Sequence, residues 1–188
     1  MGAVSRPGRR ADAVENRARI VAAARAVIAT SGEVKLNAIA KQADVGQGTL
    51  YRHFPTREDL LVEVYRGDVD ELVAAAPDLL DRYPPIEALS HWFDRVAQYA
   101  RIKRGVFAAV EAGVWQQLSA HSIGPIGDAV TTLLAAGQAD GTIRDDVDAR
   151  DVILLIGYLT RLSDDEWDSR ARHLLGVVLD GLRATGEV

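Results

Sequence analysis

With 188 residues, 48% of them hydrophobic, the chain can build one larger domain or a small domain joined to a medium one. It has no Cys, which excludes disulfide staples, thiolate zinc sites and cysteine nucleophiles. The net charge of −5 speaks against nucleic acid only as an average: residues 1–53 hold 9 Lys and Arg against 4 Asp and Glu, and the remainder holds 13 against 23. A basic N-terminal module on an acidic remainder suits a small DNA-binding unit attached to a larger one that is not.

Met1–Asp12 contains Arg6, Arg9 and Arg10 with Pro7 and two Gly, and lacks apolar periodicity. A disordered basic arm is expected over residues 1–12, as chain ends commonly fray, or an arm that reaches phosphates or a minor groove. No apolar stretch follows it as a signal peptide requires, and no apolar run approaches a membrane span. The expectation is a soluble cytoplasmic protein without membrane association.

From Val14 to Thr30, Ile20, Ala24, Val27 and Ile28 fall at offsets of one helical face, and Ser31-Gly32 ends the helix. Leu36, Ile39, Ala40 and Ala43 repeat the pattern in a short second helix. A third buries Leu50 and Phe54, with Val45 filling the turn between. Thr56 opens a fourth helix that runs to about Ala75, Asp59 completing its capping box, and Pro77 and Pro84-Pro85 punctuate the chain after it. Further helices are expected at about 86–100, 105–118, 125–139, 148–162 and 166–184, with Asp148 and Ser163 as caps. No segment shows sustained strand alternation, so the fold is expected to be all-α: a three-helix DNA-binding unit over residues 13–66, then a helical domain over 67–188.

The stretch Val45-Gly46-Gln47-Gly48-Thr49-Leu50-Tyr51-Arg52-His53-Phe54 carries the chemistry. Two short helices joined by a tight turn, the second with small and hydrogen-bonding residues outward, describe a helix-turn-helix DNA reader. Gly46 and Gly48 remove side chains where backbone approaches the duplex. Gln47 is the candidate base reader, because its amide can pair bidentately with adenine. Thr49 suits a phosphate oxygen or a thymine methyl. Tyr51 and His53, two residues apart, offer a hydroxyl and an imidazole N–H to backbone phosphates, which set register rather than sequence. The alternatives for these two are a core aromatic and an idle surface histidine.

With Pro55-Thr56-Arg57-Glu58-Asp59-Leu60-Leu61 downstream, this stretch closely resembles the DNA-binding domain of the TetR family of bacterial repressors. The resemblance runs from about Asn16 to Tyr65 and implies DNA contacts from Gln47, Gly48, Thr49, Tyr51 and His53. It also implies a phosphate contact from Arg57 and another from Arg17 or Arg19. Two positions depart from the family pattern. Asp44 stands where Gly usually precedes the Val of the turn, and Asp tolerates left-handed backbone better than most residues. Lys35 replaces the usual Ser or Thr cap of the second helix, cannot accept an N–H bond, and is a candidate phosphate contact.

Beyond Tyr65, the run from Ala136 to Val147 and the closing Leu179-Asp180-Gly181-Leu182 resemble the SbtR-like subgroup of that family. The family implies a homodimer, a palindromic operator and an effector pocket in the second domain for a small molecule of unknown identity. Trp92, Val96, Tyr99, Phe107, Val110, Glu111, Trp115 and His121 are the pocket candidates. Ile153, Leu154, Ile156, Gly157, Thr160, Leu175, Leu179 and Leu182 are the dimer candidates, with ordinary core as the competing role for both sets.

Other chemistry finds little support. Asp145, Asp146, Asp148 and Asp151 lack the Gly and Glu of a calcium loop, and the four His show no paired spacing, so neither a metal nor a cofactor is expected. The expected function is a ligand-responsive repressor. A ligand-independent repressor is the near alternative, and a small all-α enzyme or binding protein with a structural helix-turn-helix the remote one.

Overall fold

A computed structural model describes residues 7–31 and 34–184, which fold as eight α-helices. They are α1 (Pro7–Ser31), α2 (Leu36–Gln42), α3 (Gln47–His53), α4 (Arg57–Leu80), α5 (Pro85–Phe107), α6 (Ala112–Ala139), α7 (Ala149–Ile156) and α8 (Asp164–Leu182). A 3-10 turn at Gly157–Arg161 extends α7. Among the described residues the nearest thing to a strand is one antiparallel bridge, Ile143 with Arg183. The all-α expectation holds.

The first three helices close over Ile20, Ala24, Ile28, Ile39, Ala40, Leu50 and Phe54, all buried. These are the positions the helical periodicity selected. α1 begins at Pro7, so Pro7–Asp12 are helical where an arm was expected; residues 1–6 and Gly32 lie outside the described residues. The turn before α3 survives without glycine. Asp44 takes φ 52°, the left-handed region, and is the one non-Gly residue at positive φ among those described. Its short polar side chain makes that conformation tolerable.

α4 is capped as its sequence requires. Thr56 Oγ1 accepts from the Asp59 N–H at 3.0 Å, and the Thr56 N–H donates to Asp59 Oδ2 at 3.1 Å. Asp148 with Asp151 repeats the arrangement at α7, and Ser163 with Glu166 at α8. Two prolines behave differently from expectation. Pro77 lies inside α4 rather than ending it, and Pro125 lies inside α6, which joins what looked like two helices into one. Both prolines are exposed, while neighbours such as Ala76, Leu79, Ile126 and Ala129 are buried. The missing N–H thus falls on the solvent side, and buried flanks hold the helix through it. The true break comes at residues 108–111, after α5 has run on through Gly105.

α4 packs on α1, α5 and α6, and α8 returns onto α5 and α7. Trp92 is fully buried, and its indole N–H donates to the Leu72 carbonyl at 2.9 Å, fixing α5 against α4. Trp167, Ala171, Leu175, Leu179 and Leu182 form the buried stripe of α8. The end of that helix is tied down by Arg144 N–H to Leu182 O and Ala184 N–H to Thr142 O, both 3.0 Å.

Gly137 of α6 lies under Ile143 in this junction. A Cβ there would stand 2.6 Å from Ile143 Cγ1 and 3.1 Å from its Cβ. Gly137→Ala is expected to cost on the order of 1–3 kcal/mol by overpacking despite its better helix propensity. Urea unfolding checks this, and Ile143→Val, which removes the Cδ1 methyl, should recover part of the loss. A Gly137→Ala variant as stable as the parent would show that the junction yields freely.

Candidate nucleic-acid interface

The second and third helices present one polar face. Gly46 precedes α3 with extended backbone, and its carbonyl accepts the Thr49 and Leu50 N–H groups at 2.9 and 3.1 Å. Leu50 and Phe54 turn inward, which puts Gln47, Gly48, Tyr51 and Arg52 outward, with Thr49 and His53 half-buried. Tyr51 is 48% exposed, which decides against a core role for its ring. A Cβ at Gly46 would meet nothing within 4 Å, and one at Gly48 only the mobile end of Arg52 at 3.9 Å. Nothing inside the molecule therefore requires either glycine.

Lys35, exposed, occupies the N-cap of α2 and makes no side-chain cap bond there, while Arg57 is exposed in the first turn of α4. These two flank the outer face of α3 in sequence. Arg17 is engaged within the molecule. Its Nη1 donates to the His53 carbonyl at 3.1 Å, its guanidinium lies 4.3 Å from the Phe54 ring centroid, and its Nη2 pairs with Glu63 at 3.2 Å. It holds the last turn of α3 between α1 and α4. Arg19 donates to Asn16 on its own helix. One residue escaped the sequence reading: Asn37 of α2, whose Oδ1 accepts from Gln47 Nε2 at 2.6 Å. No periodicity marks such a pair, since the two lie ten positions apart on different helices.

A second ionic link joins α1 to α4. Arg25 Nε lies 2.7 Å from Asp68 Oδ1, and Arg25 Nη1 donates to both oxygens of Glu71 at 2.7 Å. Asp68 Oδ2 is buried without a hydrogen-bond partner. Burial raises the Asp68 carboxyl from 3.8 to about 6; Arg25 pulls it down by less, and Glu71 adds to the rise.

In the helical remainder, Tyr65 Oη stands 2.8 Å from both Tyr99 Oη and Ser122 Oγ, and Ser122 donates to the Ser119 carbonyl at 3.0 Å. One proton order satisfies the chain: Tyr99 donates to Tyr65, and Tyr65 to Ser122. Burial above all, then Tyr65, pushes the Tyr99 hydroxyl far above its ordinary range. Beside this chain an open cleft of about 270 Å³ lies between α4 and α6, lined by Tyr65, Arg66, Val69, Asp70, Leu118, His121, Ser122 and Pro125. A neighbouring cleft of about 300 Å³ shares Arg66, Leu118 and His121 and adds Val62 and Val114.

Of the expected pocket residues, His121 borders both clefts. Trp92, Val96 and Tyr99 are buried in the core; Val110 and Trp115 are half-buried; Phe107 and Glu111 are exposed. Trp115 packs edge-on against Tyr65 and Phe107, with centroids 5.6 and 5.1 Å away. Lys103 Nζ lies 5.5 Å from the Trp115 centroid, and burial lowers its pKa. Of the expected dimer residues, Ile156, Leu175, Leu179 and Leu182 turn into the chain's own core because α7 and α8 need those faces to pack. Ile153 is half-buried, Gly157 and Thr160 are exposed, and the outward apolar side chains are Leu154, Leu155 and Val177. Among the described residues there is no His, Asp and Glu group suited to a metal, and no helix long and apolar enough to cross a membrane.

Residues 20–64 match the family model described as bacterial regulatory proteins, tetR family. Residues 84–184 match the model for the C-terminal domain of SbtR-like transcriptional regulators. A TetR transcriptional regulator from Streptomyces coelicolor is similar over 90% of this chain and 99% of its own, at 38% identity and a TM-score of 0.70. A TetR regulatory protein from Mycobacterium vanbaalenii is similar over 93% and 99%, at 34% identity and a TM-score of 0.70. An HTH-type transcriptional regulator of Staphylococcus aureus strain USA300 is 33% identical over 107 residues, so the match spans 58% of that relative and 55% of this chain.

The raised carboxyl of Asp68 predicts a pH dependence. The folded chain holds that proton more tightly than the unfolded chain does, so the group's contribution to stability falls as pH rises from about 4 to about 6, then levels off. Asp68→Asn should remove that component, which urea midpoints measured at intervals from pH 4 to 7 would show as a flatter profile. Identical profiles for the two proteins would contradict the raised carboxyl.

Proposed function

The chain belongs to the TetR family of bacterial transcriptional regulators, and from that premise we propose that it is a ligand-responsive repressor that binds a palindromic operator as a homodimer. The family is one of DNA-binding regulators and not of enzymes. The observation that carries the reading is the outer face of α3. Leu50 and Phe54 anchor the helix, while Gly48 and Tyr51 stand in solvent with no internal packing that requires them there and the exposed Gln47 bonds to Asn37. In this reading Gln47 meets a base edge. Thr49, Tyr51, His53, Lys35 and Arg57 meet the backbone, and Gly48 lets α3 approach. Arg17 contributes through its hold on the end of α3. Residues 13–66 read DNA and residues 67–188 dimerise and receive the effector, with α4 continuous across that division.

Two recognition helices must sit roughly 34 to 36 Å apart to enter successive major grooves of one operator. The second copy is proposed to pack on α7 and α8, where Leu154 and Val177 are 64% and 56% exposed. The effector is proposed to enter the paired clefts over Arg66 and His121. A ligand that prefers a dimer with another head spacing then weakens DNA binding by population shift.

Selection of binding sequences from random duplexes tests the proposal directly. A palindrome with half-sites about one helical turn apart supports it, and no enrichment over a Tyr51→Ala control counts against it. Tyr51→Ala should weaken binding to all sequences alike and leave folding intact, because the ring is already half exposed. Gln47→Ala should instead shift sequence preference, by roughly 1 to 3 kcal/mol at one base pair. Lys35→Ala or Arg57→Ala should each lower the salt slope by about 1 in filter or anisotropy titrations. A Leu154→Arg/Val177→Arg double variant is expected to sediment as a monomer and to lose affinity for the palindrome. A variant that remains dimeric places the interface elsewhere.

A further inference from the structure

Gln47 is not free to turn as it pleases. Its Nε2 donates across the turn to Oδ1 of Asn37, at 2.6 Å, and both side chains are exposed on the same outer face of the α2–α3 pair. A glutamine amide carries one acceptor oxygen and two N–H donors. The bond to Asn37 uses one N–H and leaves Oε1 with the other. Pairing with adenine needs that remaining set: an oxygen to accept from N6 and an N–H to donate to N7. Guanine presents two acceptors, O6 and N7, and calls for two donors that the tethered amide no longer has. Flipping the Gln47 amide alone would set its oxygen against the Asn37 oxygen; the opposite orientation needs Asn37 to flip with it and donate from Nδ2, so the two amides turn only as a pair.

We propose that Asn37 is a positioning residue for base recognition, its hydrogen bond locking the Gln47 amide so that it favours adenine over guanine. The inference rests on the reading that Gln47 meets a base edge. Asn37 needs no contact with DNA for this role. It acts by restricting a side chain with three rotatable bonds before the duplex arrives, which spares part of the ordering cost of binding. The sequence requirement is an acceptor at position 37, on the second residue of α2.

The experiment uses the full chain and two duplexes: the selected operator and the same operator with A·T changed to G·C at the base pair that Gln47→Ala identifies. Asn37→Ala is expected to reduce discrimination between the duplexes by about 3- to 10-fold, the worth of one hydrogen bond. Asn37→Asp leaves only an acceptor at this position and should sharpen the discrimination while its charge weakens binding to both duplexes. The Asn37→Ala/Gln47→Ala double variant should discriminate no worse than Gln47→Ala alone, since the two residues act through one amide. Unchanged discrimination in Asn37→Ala, or additive effects in the double variant, overturns the positioning role and leaves Gln47 as a base reader. Gln47→Ala with an unaltered sequence preference overturns both.

Discussion

The structure depends on one helix that must be buried from several sides along its length. α4 offers Leu60, Leu61, Val64 and Tyr65 near its start and Val69, Leu72, Ala75, Ala76 and Leu79 further on, all buried. α1 lies along its first half, as the Arg17–Glu63 and Arg25–Asp68 pairs show, while Tyr65 and Leu72 already bond to α5 and α6. No apolar boundary therefore separates the DNA-reading end from the rest. Burying each Leu or Val of this stripe is worth about 1.5–3 kcal/mol, which explains why a proline at position 77 does not end the helix.

Polar groups on the same helix give that packing its register. Apolar contact is non-directional and tolerates sliding; hydrogen bonds and ion pairs do not. Arg17 and Arg25, eight residues apart on α1, engage Glu63 and the Asp68–Glu71 pair on α4. The Tyr99–Tyr65–Ser122 chain does the same for α4 between α5 and α6. Asp68 shows that such links are not free of cost, since its buried oxygen lacks a donor and burial pushes its carboxyl up to about 6.

What the sequence made legible was whatever is local and periodic. Ile20, Ala24 and Ile28 on α1, Leu50 and Phe54 on α3, and the capping boxes at Thr56 and Ser163 were readable from spacing and residue type, while the left-handed Asp44 followed from the family resemblance, which places it at the turn glycine. Pro77 and Pro125 misled because breaking power depends on which side of a helix loses its N–H, and that is settled by tertiary packing. Trp92, Val96 and Tyr99 were candidate pocket walls because composition cannot distinguish a wall from a filled interior. Leu175, Leu179 and Leu182 looked like an interface for the same reason, a stripe being equally fit to cover its own chain or another. Arg17 and Asn37 were opaque in a different way. A guanidinium that caps a neighbouring helix, and an amide that orients another, act between elements, and no pattern along the chain encodes them.

The unbroken course of α4 has a geometric consequence. Its 24 residues make a rod about 36 Å long at ~1.5 Å per residue. Rotation of about 5° about its far end carries the near end by about 3 Å, close to the ~3.4 Å step between stacked bases. A change too small to disturb the packing beside Leu79 would thus be felt near Arg57 as a displacement of one rung on the duplex.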